Sequence, residues 1–173
     1  MQTQKLTLTK NKLELLKSCL CNKKDLRDAL MNLNIRADGS LESTNGKMLV
    51  RVSNDPTIPA GVYKILAVEK IFYACREITL ELQDCQYPAT DQVIPKETNE
   101  TLSLFIQAGA THCVNVVKLF QFTQNVYSEK YLDNLGLMET NWTFHKAQPD
   151  NGILATTTDG IKAVIMPLQL ESN

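Results

Sequence analysis

Residues 3–9, TQKLTLT, alternate polar and apolar side chains with a period of two and read as a half-buried strand. The spacing then changes. Over KNKLELLKSCLCNKKDLRDAL, residues 10–30, Leu13, Leu16 and Leu20 recur at helical intervals and predict a helix that Asn22 interrupts. In the following stretch Leu33 and Ile35 alternate before Asp38-Gly39, and Met48, Val50 and Val52 alternate after Asn45-Gly46. Both dipeptides accept the positive φ of a tight turn, so residues 32–55 predict a three-stranded meander.

Further along, Ile78, Leu80 and Leu82 alternate with Thr79, Glu81 and Gln83 and predict another half-buried strand. Between residues 62 and 74, a strand running into a short helix fits as well as two strands. Residues 84–100, DCQYPATDQVIPKETNE, hold Pro88 and Pro95 in an extended setting and predict an edge or connecting segment. TLSLFIQA (101–108) and HCVNVVKLFQF (112–122) read as strands. SEKYLDNLGLM (128–138) reads as a helix, with Ser128 as cap, Glu129 in the first turn, Tyr131, Leu132 and Leu135 as its apolar stripe and Gly136 as a stop. NWTFHKA (141–147) predicts a strand, and residues 152–170, GILATTTDGIKAVIMPLQL, predict a hairpin turning at Asp159-Gly160.

Strand, helix and hairpins thus occur twice in that order. The pattern predicts an α+β fold of two βαβββ-like units, antiparallel sheets with two helices on one face, within one domain over 1–173 whose halves run 1–84 and 96–173. Hairpins that merely look alike would give the same impression without any duplication.

Length and composition narrow the function classes. A chain of 173 residues, 43% hydrophobic, suffices for one good core. Eighteen basic residues against 19 acidic ones give a net charge of -1, which excludes wholesale basicity but not a local basic face. Cys19, Cys21, Cys75, Cys85 and Cys113 form no CxxC pair, and with only His112 and His145 beside them they read as reduced thiols without a metal site. The N-terminal residues lack the apolar core of a signal peptide, and no stretch approaches the length that spans a bilayer, so a cytoplasmic protein without membrane contact is expected.

Catalytic motifs are missing: the sequence has no phosphate loop, GxSxG, HExxH or EF-hand pattern. His112 and Cys113, placed on a strand, would point to opposite faces and could not share a proton. No enzyme activity and no cofactor are expected. The first helix offers a surface instead. Lys10, Lys17 and Lys24 recur every seven residues, within about 40° of one another on a continuous helix, and Lys12, Lys23 and Arg27 thicken the same segment. That stripe suits a phosphate backbone; a solvated lysine face beside a leucine stripe accounts for the spacing as well.

Four segments in order resemble the bacterial sliding clamp, the β subunit of DNA polymerase III. VIMPLQL (164–170) resembles the clamp's apolar-Met-Pro-apolar ending. YPATDQVIP (87–95) resembles its aromatic-Pro connector, STNGKML (43–49) its Thr-Asp-Gly turn, and NVYSEKYLDNL (125–135) its second-repeat helix entry. Asn45 replaces the family's usual Asp, and Gln92 and Gln169 stand where Arg is frequent. The resemblance implies a non-enzymatic protein that contacts double-stranded DNA without sequence preference. It also implies a hydrophobic cleft for short linear peptides of DNA polymerases and other replication proteins. Carried over residue by residue, that cleft comprises Gly46, Lys47, Met48, Leu49, Pro88, Val93, Val164, Ile165, Met166, Pro167 and Leu168. Clamp rings contain six such domains, so a chain supplying about one implies a homo-oligomer; an adaptor that keeps the cleft without encircling DNA is the alternative.

Overall fold

β1 (Thr3–Thr9) forms where the period-two pattern puts it, with Leu6 and Leu8 buried and Lys5, Thr7 and Thr9 exposed. The computed structural model describes residues 3–21, 27–54, 58–146 and 151–169. The chain divides into two units, residues 1–89 and 90–173.

In the first unit, α1 (Lys10–Ser18) follows β1 directly, with Thr9 Oγ1 accepting from Lys12 N at 3.4 Å. Leu13, Leu15 and Leu16 are fully buried, and Ser43 Oγ donates to Leu16 O at 2.8 Å, tying the helix to the sheet beneath it. The expected meander is present as β2 (Leu33–Ile35), β3 (Leu41–Thr44) and β4 (Met48–Val52). Gly39 and Gly46 sit at the two turns with φ of 80° and 82°. The ambiguous stretch 62–74 resolves into strand: β5 (Gly61–Lys70) turns through residues 71–74 into β6 (Cys75–Gln83). All pairings are antiparallel, in the order β1-β6-β5-β2-β3-β4.

The second unit begins with a connecting segment, as expected, containing one short 3-10 turn at Asp91–Val93. β7 (Thr101–Ile106) is the strand read from TLSLFIQA. The next segment corrects the sequence reading: HCVNVVKLFQF is not a strand but α2 (Cys113–Thr123), a third α-helix among the described residues beside the two expected. Its β-branched residues favour extended chain, yet Asn115, Lys118 and Gln121 recur every third position, a spacing no half-buried strand produces. Leu119 and Thr123, one turn apart, are its buried residues.

α3 (Glu129–Gly136) then packs Leu132 and Leu135 inward, and β8 (Thr140–His145), β9 (Ile153–Thr156) and β10 (Lys162–Ile165) complete the unit. The strand order is β7-β8-β9-β10, again antiparallel. Trp142 is fully buried and donates its indole N–H to Leu135 O at 3.2 Å, which joins α3 to β8. Gly136 does not stop the helix by adopting positive φ. A Cβ there would stand 2.3 Å from Ala108 N, so glycine is required because α3 lies against the chain leaving β7. The architecture is α+β, with antiparallel sheets and helices packed against them. Among the described residues no helix is long and apolar enough to cross a membrane.

Candidate functional site

The basic stripe is shorter than its spacing promises. α1 ends at Ser18, whose Oγ turns back to Leu15 O at 2.7 Å, while Cys19 N and Leu20 N close tighter bonds to Leu16 O and Lys17 O. Lys10 and Lys17 are exposed and Lys12 is half-buried; Lys17 also pairs with Glu14 at 3.4 Å, an exposed contact of small energy. Lys23 and Lys24 lie outside the described residues. Arg27 departs from the stripe altogether. Its guanidinium stands 3.0 Å from where a Cβ on Gly46 would be and 4.0 Å from Cys21 Sγ, so it serves the β3–β4 turn.

That turn is tightly built. Asn45 Oδ1 accepts from Lys47 N and Met48 N, both at 2.9 Å, and Thr44 Oγ1 accepts from Gly46 N at 3.1 Å while donating to Met48 O at 2.8 Å. An Asx turn of this kind needs only a side-chain oxygen at the first position, so Asn45 serves where the resembled family has Asp. Gly46 and Lys47 are exposed, whereas Met48 and Leu49 are buried and present no open surface. Pro88, later in the same unit, is exposed.

In the second unit the terminal run changes character along its length. Val164 and Ile165 close β10 and are buried, Met166 and Pro167 are half-buried, and Leu168 is 48% exposed. Leu168 is nevertheless fixed, because its N–H donates to Val126 O at 2.8 Å. Gly152 makes room beside it: a Cβ there would stand 2.7 Å from Val164 Cγ1 and 3.0 Å from Met166 Sδ. Val93 is exposed at the end of its 3-10 turn. The four residues 166, 167, 168 and 93 are therefore the surface-accessible apolar part of the expected set in this unit.

His112 and Cys113 stand at the start of α2, which replaces the strand on which they were expected to diverge. They remain unpaired with each other. His112 is buried with Nε2 3.6 Å from Asp133 Oδ1, while the exposed Cys113 thiol lies 3.4 Å from Glu129 Oε1. That carboxylate, through its hydrogen bond and its charge, pushes the thiol pKa up and disfavours the nucleophilic thiolate. Cys19 is more inert still, its pKa pushed up to about 12 by burial. His145 holds Thr156 Oγ1 at 3.0 Å within the sheet. Among the described residues no group of three or more His, Cys, Asp or Glu side chains is arranged to hold a metal.

Two features escape sequence reading. Glu42 is fully buried in β3, where Arg51 Nε and Nη2 reach it at 2.9 and 2.6 Å, Arg36 at 3.7 Å and Asn34 Nδ2 at 3.3 Å. The signal was available, since the meander register sets Asn34 and Arg51 opposite Glu42. The other is the turn between β5 and β6, where Phe72 and Tyr73 are 71% and 89% exposed.

No family model matches this sequence, and no curated protein matches it. The solved structures do. The C. crescentus beta sliding clamp superposes with a TM-score of 0.59 at 15% identity, over 97% of this chain and 66% of that one. The sliding clamp of Pseudomonas aeruginosa DNA polymerase gives 0.58 at 16% identity over 96% and 66%. Its fold is that of the bacterial sliding clamps. The β chain of Streptococcus pneumoniae DNA polymerase III extends the likeness, with a TM-score of 0.58 at 13% identity over 98% of this chain. The chain spans 66% of the length of the clamps it matches.

Proposed function

We propose that this chain is a non-enzymatic, clamp-like binding protein of the cytoplasm that contacts double-stranded DNA loosely and captures short apolar peptides of DNA polymerases or other replication proteins. The clamp fold along 97% of the chain is the observation that carries this reading, the matched proteins being DNA polymerase sliding clamps. Lys10 and Lys17, on one exposed face of α1, supply the duplex-facing cations, and the half-buried Lys12 adds charge beside them. Lys23 and Lys24 extend the set in sequence. Met166, Pro167, Leu168 and Val93 supply apolar peptide contacts in the second unit, and Gly46, Lys47 and Pro88 supply theirs in the first. Met166 suits a promiscuous partner surface because an unbranched thioether adapts its shape. Self-association into a homo-oligomer is part of the proposal, on the resemblance to clamp rings of six such domains.

The test is duplex binding followed by fluorescence anisotropy across a salt series. Phosphate neutralisation by a few lysines gives weak, sequence-indifferent binding that falls steeply as salt rises, and Lys10→Glu with Lys12→Glu and Lys17→Glu removes it. Binding that is absent at low salt, or indifferent to the three substitutions, overturns the duplex half. The second reading, an adaptor that binds protein partners without encircling DNA, would then stand. It draws specific support from the nine-residue length of α1, which leaves only a short basic face.

A further inference from the structure

The hairpin of β5 and β6 carries exposed apolar side chains along its outer half: Leu66, Val68 and Ile71 as well as Phe72 and Tyr73. An ordered tip with two of its largest apolar side chains in water calls for a partner. The tip is held in shape. Arg76 Nη1 donates to the carbonyls of Cys75, Phe72 and Tyr73 at 2.9, 3.2 and 3.3 Å, and Lys10 N donates to Ala74 O at 2.7 Å. The second bond brings the start of α1 to the tip, and Lys10 with it.

Charge decides which partner fits. Lys70 and Arg76 are directly opposed across the two strands, a like-charge rung that costs the isolated hairpin stability. Neither is paired with a carboxylate among the described residues, and Lys70 Nζ instead lies 5.7 Å from the centre of the Tyr73 ring. By strand alternation, Lys70 and Arg76 share the face that carries Leu8 and Ile78, on which α1 packs. Glu69 and Glu77 lie on the other face, where Lys5 Nζ holds Glu77 at 2.6 Å. The tip therefore combines Lys70 and Arg76 on its α1 side, the Tyr73 ring beside Lys70 and the exposed Phe72 ring, with the backbone of Lys10 bonded to it at Ala74.

We propose that this hairpin tip binds single-stranded nucleic acid, with bases stacking on Phe72 and Tyr73 and phosphates drawn to Lys10, Lys70 and Arg76. Aromatic platforms beside cations are the physical requirement for sequence-tolerant single-strand binding, because every base has a stacking face and every linkage a charge. A second copy of the chain fits less well. Two rings and their neighbours fall far short of the roughly 800 Å² per partner that a stable protein interface buries. A lipid surface fits less well too, since Phe72 could not enter it without carrying Glu69 and Glu77, one rung behind, towards anionic headgroups. The proposal goes beyond the duplex reading and does not depend on it.

The experiment is anisotropy of a labelled oligothymidylate about 16 nucleotides long, titrated at low salt with the full chain. The unmodified protein should bind, and Phe72→Ala with Tyr73→Ala should weaken binding by at least about tenfold without moving the melting temperature, both side chains being exposed. Tyr73→Phe, which keeps the ring, should bind nearly as the unmodified protein does, and Lys70→Gln should lower the salt dependence. The Phe72 and Tyr73 substitutions leave Lys10, Lys12 and Lys17 in place, so duplex binding should survive them. No binding of the oligonucleotide, or binding unchanged by the double substitution, overturns the proposal. So does a double variant that keeps its oligonucleotide binding but loses adsorption to phosphatidylserine vesicles, or loses a self-association that the unmodified protein shows in sedimentation.

Discussion

The backbone N–H of Leu168 donates to the carbonyl of Val126 at 2.8 Å, so the last described turn of the chain is held in place while the Leu168 side chain faces solvent. Three residues earlier Ile165 has no exposure at all. One apolar run thus supplies both a core strand and an exposed edge.

A carboxylate separates the two roles. Leu168→Asp should leave the melting temperature nearly unchanged, whereas Ile165→Asp should cost more than about 4 kcal/mol or abolish folding, because an unpaired charge cannot be solvated there. Thermal denaturation followed by circular dichroism distinguishes them. Equal losses would mean that Leu168 is core.

Gly136→Ala runs against helix propensity. Alanine ordinarily improves a helix by about 1 kcal/mol over glycine, but here its Cβ would meet Ala108 N at 2.3 Å and Gln107 C at 2.5 Å. Backbone atoms cannot swing aside as a side chain can, so the substitution should destabilise by roughly 1–3 kcal/mol or more. A neutral or stabilising effect in urea denaturation would contradict the close packing of α3.

Breaking the buried pair is costly in a way that replacing it is not. Arg51→Met leaves Glu42 short of its shortest partner and should cost roughly 3–5 kcal/mol. Glu42→Leu combined with Arg51→Met should recover much of that loss, although Arg36 would then lack the acid it faces. Denaturant midpoints of the single and double variants measure the coupling; additive losses would contradict it.

The β2–β3 turn gives a pH signature. Asp38 accepts from Ser40 Oγ at 2.6 Å and Ser40 N at 2.9 Å, and these bonds hold its carboxyl below the usual carboxylate range. A folded-state pKa below the unfolded value of about 3.9 contributes stability that is present above that value and lost as pH falls through the folded one. Asp38→Asn should therefore lower stability at neutral pH and flatten its decline on the acid side. Stability curves that remain parallel down to low pH would show that the turn does not depend on the charge.

How much of this could be read from the sequence depended on how local each determinant is. The hairpins at Asn45-Gly46 and Asp159-Gly160 were legible because a positive φ and an alternating pattern are written within a few residues. α2 was not, because its apolar residues are mostly exposed, so burial imposes no clean helical stripe and the β-branched composition dominates the reading. The extent of β5 escaped for a related reason: beyond Ile65 its side chains are exposed, leaving no half-buried alternation to follow. At the candidate site, the exposed edge of the terminal run was anticipated, but the burial of Met48 and Leu49 depends on tertiary packing. The short span of α1, which ends at Ser18 with the Ser18 hydroxyl bonded back to Leu15 O, was not written in the lysine spacing.

Peptide capture is the claim on which the clamp-like reading most directly rests. Calorimetric titration of a short apolar peptide of the clamp-binding type into the unmodified protein should give a modest affinity, since a small surface must offset the ordering of a flexible ligand. The same titration into Leu168→Asp, folded and equally stable, should give none, and Met166→Ala should weaken it. Absence of binding to the unmodified protein, or undiminished binding to Leu168→Asp, would contradict the account.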